Sequence, residues 1–188
     1  MRPDASVRYR INEKDEITYV AGEWESFAKD NDGHGLDREA LQGRVLWEFI
    51  SGPATRDLYK RLLTRVRSGQ PARFTLRCDG PAVRRLLEMT ISMEGGDSVE
   101  FATRGLSVVE RDPIALLATS TKRSEAMLVV CAWCNRIRVS PDQWMEVELA
   151  IDQLNLFAAD RLPQVSHGIC TDCLESMTKL VEKMKPGI

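Results

Sequence analysis

Several features are scarce in this 188-residue sequence, and each scarcity removes a class of function. No apolar run approaches the roughly 18 residues of a membrane span; the longest is Met127–Cys134 with Ala126 before it. The opening MRPDASVRYR lacks the apolar segment of a secretory leader, so a cytoplasmic protein is expected. Basic residues are in no excess: positions 1–113 carry 18 Lys/Arg against 19 Asp/Glu, and 114–188 carry 8 against 9. A nucleic-acid binder needs a basic stripe to neutralise phosphates. Arg84-Arg85 and Arg136/Arg138 are only local basic spots, so nucleic acid is disfavoured as a partner. No repeat, low-complexity tract, or kinase, cyclase or DNA-binding motif is present. What remains is a globular composition, 43% hydrophobic and 29% charged, long enough for one large domain or two small ones.

The cysteines are unevenly placed. Of five, Cys78 alone lies in the first 113 residues, and the other four fall between 131 and 173. In a reducing compartment, cysteines at regular spacing serve a metal or redox chemistry more often than a disulfide.

The first part reads as two strands, several helices, then three strands. Val7, Tyr9 and Ile11 alternate, and Ile17 and Tyr19 begin a second strand. Trp24, Phe27 and Ala28 have helical spacing, ended by Asn31-Asp32-Gly33. Asp37 can cap a short helix over Arg38–Gln42, and Val45–Ile50 is an apolar stretch. Pro53–Arg67 is the clearest helix, with Pro53 in its first turn, Leu58, Leu62 and Val66 one turn apart, and Gly69 after it. Phe74, Leu76 and Cys78 share the apolar face of a strand, where Cys78 is a small buried hydrophobe. Leu87, Met89, Ile91 and Met93 form another, Glu94-Gly95-Gly96-Asp97 a hairpin turn, and Val99 and Phe101 begin the last, with a bulge at Gly105. This order predicts an α+β fold, an antiparallel sheet with helices on one face. Trp24, Trp47 and Phe49 are expected in its core, and Arg77, Asp79, Arg84 and Arg85 on a solvated face with hairpin ion pairs. His34, between two glycines, is expected as a loop residue.

Residues 114–125 read as a linker, leaving 126–188 as a second domain. About 63 residues are marginal without a staple. Cys131-Ala-Trp-Cys134 and Cys170-Thr-Asp-Cys173 supply one: two CxxC pairs provide four thiolates for a tetrahedral structural zinc ion. The 35 intervening residues exceed the spacing of a compact ribbon, so a folded insert is expected. Asn135–Ser140 can return as a strand, Trp144, Val147, Ile151 and Leu154 recur as a helical face, and Asp160–Gln164 is a proline-containing loop. The second pair opens a helix, with Leu174, Met177, Val181 and Met184 on one face and Pro186-Gly187 at its end. A CxxC turn followed by a CxxC at a helix start is the logic of a treble-clef-like zinc domain.

Other ligand sets stay open. His167 could replace one cysteine or position a ligand. The thiolates could hold iron or an iron–sulfur cluster, or act as a reversible dithiol switch. A c-type haem is excluded, because Asn135 and Leu174, not histidine, follow the two pairs.

The segment CAWCNRIRV…W…E…SHGICTDC resembles a CxWC…SHGICxxC module of bacterial signalling proteins, over about Cys131–Cys173. The first 113 residues are similar to PAS-type sensor domains in strand and helix order, in Tyr19, Trp24 and Phe27, and in the stretches Leu46–Ile50 and Arg77–Met89. The resemblance implies a non-enzymatic signalling protein in which a PAS-like domain senses a ligand or pairs with a protein, a homodimer included, while the zinc module supports docking. It names no PAS ligand: the flavin motif around a reactive cysteine is absent, as is a histidine in a haem-ligating context. A thiol redox sensor and a metal-dependent enzyme are the rival readings.

Overall fold

Period-two alternation builds the first sheet. The structure is a computed structural model that describes residues 6–30, 35–118, 121–158 and 160–184. Strands β1 (Ser6–Ile11) and β2 (Ile17–Gly22) pair first, helices α1 (Trp24–Asp30), α2 (Arg38–Leu41) and α3 (Pro53–Arg67) follow, and β3 (Ala72–Arg77), β4 (Val83–Met93) and β5 (Val99–Glu110) complete the sheet. Its order is β2-β1-β5-β4-β3, with every pairing antiparallel. Ile11, Leu87, Met89, Ile91, Val99 and Phe101 are buried on one face. Leu58, Leu62 and Val66 of α3 belong to one buried cluster with all of these except Leu87, as their one-turn spacing requires. Tyr9 stacks on Phe101 at 4.6 Å.

The local signals act where the sequence places them. Gly95 and Gly96 both have positive φ, 44° and 62°, a geometry that suits the tight β4–β5 turn. Leu86 faces Ser107 while Leu87 faces Gly105, so the ladder carries a bulge there. Asp37 accepts a hydrogen bond from the Ala40 N–H at 2.8 Å and caps α2. Asp37→Ala is therefore expected to cost about 1 kcal/mol, read as a lower urea midpoint at unchanged slope. His34, Asn31-Asp32-Gly33 and Pro186-Gly187 lie outside the described residues.

The second sheet comprises β6 (Arg123–Cys131), β7 (Ile137–Ser140), β8 (Gln143–Met145) and β9 (Leu162–Gly168), in the order β8-β7-β6-β9. Helix α4 (Val147–Gln153) lies in the connection and α5 (Thr171–Lys183) follows β9. Four expectations change here. Residues 160–164 are not simply a loop: from Leu162 the chain is β9, parallel to β6. Pro163 is tolerated because β9 is an edge strand, where a missing N–H breaks no ladder. Trp144 sits in β8, not on the helical face of Val147 and Ile151. The expected linker 114–125 holds a short 3-10 turn at Ala115–Leu117 with Leu116 buried, and β6 already begins at Arg123. Leu174 is exposed, whereas Met177 and Val181 of the same helix and its C-cap Met184 are buried.

Two apolar clusters result. Leu116, Leu128, Val130, Ile137, Val147 and Ile151 fill the second sheet's own core. Cys131, Trp133, Cys170, Met177 and Val181 belong instead to the large cluster of the first sheet and α3. The cysteine-bearing elements thus share a core with the N-terminal sheet.

Candidate metal centre

The first CxxC lies in the turn between β6 and β7. The Cys131 N–H donates to the Arg136 carbonyl (2.8 Å) and the Asn135 N–H to the Cys131 carbonyl (3.0 Å), closing a tight turn that points both thiols the same way. Asn135 takes the left-handed conformation this needs, with φ 58°, a region asparagine tolerates. The second CxxC straddles the start of α5: Cys170 is the N-cap, and its sulfur accepts from the Cys173 N–H at 3.5 Å. The Cys131 sulfur accepts from the Cys170 N–H at 3.4 Å.

The parallel β6–β9 pair brings the two halves together. Cys131 faces Gly168 across the ladder, and the Ala132 N–H donates to the Gly168 carbonyl at 2.9 Å. A Cβ at Gly168 would stand 2.9 Å from a Val129 methyl, so a larger residue here would have to push that side chain aside. All four sulfurs lie within 4.8 Å of one another, and Cys134 and Cys170 are 3.7 Å apart. Sulfurs about 2.3 Å from a tetrahedral ion are about 3.8 Å apart. The four cysteines lie close together and could bind a metal ion. Hydrogen bonds from Cys134 and Cys173 hold the Cys131 thiol well below its usual range, while the same contact with Cys131 pushes Cys134 up to about 12 and Cys173 higher still. Four crowded thiols thus resist full ionisation on their own, and a bound cation would let all of them become thiolates.

The remaining singled-out residues fall elsewhere. His167 is exposed on β9 and is not part of the thiol cluster found among the described residues. Cys78 follows β3, half-buried and apart from the four, and burial raises its thiol to about 11. Trp47 donates its indole N–H to Asp15 at 2.8 Å. Trp24 and Phe49 pack on the core but also line a cavity of about 350 Å³ with Tyr9, Leu41 and Tyr59.

The arginine group is not the solvated face its sequence suggests. The Asp79 side chain is 0% exposed and pairs with Arg77 and, at 3.5 Å, with Arg111. Arg85 is buried, and its backbone N–H donates to the Asp79 carboxylate. Arg77 also reaches Glu146 at 2.5 Å, and Arg84 and Arg111 reach Glu148 at 2.8 and 3.0 Å. These carboxylates sit at the start of α4, so the network ties the first sheet to the second. Sequence spacing carried no signal of it, because the partners are more than 60 residues apart in the case of Arg77 and Arg84.

The contact between halves is also aromatic. Trp133, between the first two cysteines, is 4% exposed, stacks on Tyr59 of α3 at 5.3 Å, and lies 6.3 Å from Phe74 of β3. Its carbonyl accepts from the Arg77 N–H at 2.7 Å.

No family model matches the chain, and no curated protein matches it. Among solved structures, a domain of an HTR-like protein from Haloarcula marismortui is a weak neighbour: 17% identity, TM-score 0.34, with the match spanning 54% of this chain and 98% of that one. Among the described residues, no helix is long and apolar enough to cross a membrane.

Proposed function

We propose that this chain is a non-enzymatic signalling protein in which a PAS-like sensing or pairing domain carries a small treble-clef-like module built on one structural zinc ion. The observation that supports it most is the four-sulfur cluster at near-tetrahedral spacing, formed by a turn and a helix start. Cys131, Cys134, Cys170 and Cys173 are its ligands, without His167. Four thiolates close the coordination sphere, which leaves no position for substrate and makes the ion's role structural. The PAS-like reading is supported by the two strands, three helices and three strands of the antiparallel sheet, and by the cavity beneath the helices, which has room for a small, largely apolar ligand. The module's packing against α3 through Trp133 offers a rigid docking surface for a protein partner, a second copy of this chain included.

Metal analysis of protein purified without added metal tests the reading. About one equivalent of zinc is expected, retained under mild peroxide. Less than half an equivalent with four titratable thiols would sink the structural-zinc assignment. Zinc released by mild peroxide, with a change of oligomeric state, would favour the redox-sensor alternative.

A further inference from the structure

Strand β3 is the outer strand of the first sheet, and one of its sides is open. Leu76, Phe74 and Ala72 face β4 in register with Leu87, Met89 and Ile91. The Cys78 N–H bonds back to Arg85, whereas the Arg77 N–H points outward to the Trp133 carbonyl. By the two-residue period of an antiparallel ladder, the N–H and C=O groups of Thr75 and Arg73 point outward too. Neither residue has a backbone hydrogen-bond partner on that side among the described residues. The module therefore fills the first rung of this edge and leaves the next two vacant.

Those rungs open into a groove of about 450 Å³ between β3 and α5. Trp133, Met177 and Leu180 supply its apolar side, Cys134 and Cys173 reach its wall, and among the described residues Arg73 and Arg77 are the charged ones lining it. Arg77 is already committed to Asp79 and Glu146, whereas Arg73 is exposed and in no ion pair among the described residues, its charge acting only at longer range on Glu88. The buried indole N–H of Trp133 has no acceptor among the described residues. An open strand edge beside a helix, with apolar side chains within and a cation outside, matches an extended peptide added as a further strand.

We propose that the β3–α5 groove binds an extended peptide of a partner protein by strand addition, pairing with the Thr75 and Arg73 backbone and placing an acidic residue opposite Arg73. The peptide continues an interface the chain itself begins at Arg77 and Trp133. Its residue opposite Phe74 points inward and is apolar; those on either side point outward. This deepens the docking role proposed above and rests on that reading only in that the metal module holds α5 in place.

The test uses the full zinc-loaded chain, ¹⁵N-labelled, titrated with the capped heptapeptide Gly-Thr-Val-Glu-Val-Thr-Gly. The Thr75 and Arg73 amide resonances are expected to shift together and saturably. Replacing the peptide's Glu with Lys should weaken binding about threefold, and N-methylating its three central residues should abolish it. Thr75→Pro, which removes an outward N–H at an edge position that tolerates proline, should lower affinity about tenfold. Unmoved Thr75 and Arg73 amides at millimolar peptide, or equal binding by the N-methylated peptide, would overturn the proposal. So would self-association of the free protein that Thr75→Pro abolishes, since a second copy would then own the edge. Should Thr75→Pro misfold, the N-methylated arm still decides. Zinc content of the same sample separates failure of the groove from failure of the metal site.

Discussion

Cys170→Ser is expected to release the metal and to destabilise the N-terminal sheet along with the module. Serine is a good N-cap, so α5 keeps an acceptor for the Cys173 N–H that the Cys170 sulfur now receives. What disappears is one of four thiolates. Structural zinc sites contribute about 10–16 kcal/mol of apparent binding free energy, and that energy is folding energy where no preformed site exists. Even a partial loss exceeds what a module of this size holds from its own core. The damage should spread, because Cys131, Trp133, Met177 and Val181 lie in one cluster with α3 and the first sheet. The expected result is less than half an equivalent of metal and a single urea transition at lower midpoint, reporting both halves together. The matched control is Cys78→Ser, which lies outside the cluster and should keep its metal. A Cys170→Ser protein with a full equivalent of bound metal would refute the four-cysteine set.

Asp79→Ala should cost about 3–5 kcal/mol, the range for breaking a buried ion pair by removing one partner. The Asp79 carboxylate is enclosed between Arg77 and Arg111, whose side chains are only 14% and 11% exposed. Without it, both guanidiniums keep one carboxylate each, Arg77 with Glu146 and Arg111 with Glu148, which places the result toward the lower end. The backbone N–H of the buried Arg85 also loses its bond to that carboxylate. Urea unfolding of Asp79→Ala beside Asp79→Asn checks it: the amide retains an acceptor and should recover part of the loss. A cost below about 1 kcal/mol would mean that the network orients the two sheets without stabilising them.

The sheet and the thiols were legible in the sequence for one reason: both depend on short-range spacing. Alternation at Leu87, Met89 and Ile91, the one-turn repeat of Leu58, Leu62 and Val66, and the two CxxC pairs are patterns within a few residues. What escaped depends on distant partners. Strand β9 was obscured by Pro163 and by pairing with β6, some forty residues earlier. Trp144 has helical spacing with Val147 and Ile151, yet its backbone pairs with Arg138 in a strand. Asp79 reads as part of a solvated face because nothing near it in sequence announces that Arg111 and the start of α4 will enclose it. The position of Trp133 within its motif is visible, but its stacking on Tyr59 is a property of the assembled core.

The parallel pairing of β6 and β9 would give a bound ion a task distinct from holding loops together. Cys131 ends one strand, and Gly168, two residues before Cys170, ends the other, at the same end of the ladder. Shifting β9 by a single residue would displace the second thiol pair by about 3.3 Å and turn its side chains to the opposite face. Four sulfurs could then no longer meet. An ion captured there would proofread the alignment of two strands that no hairpin connects, rewarding one register out of those the chain could sample.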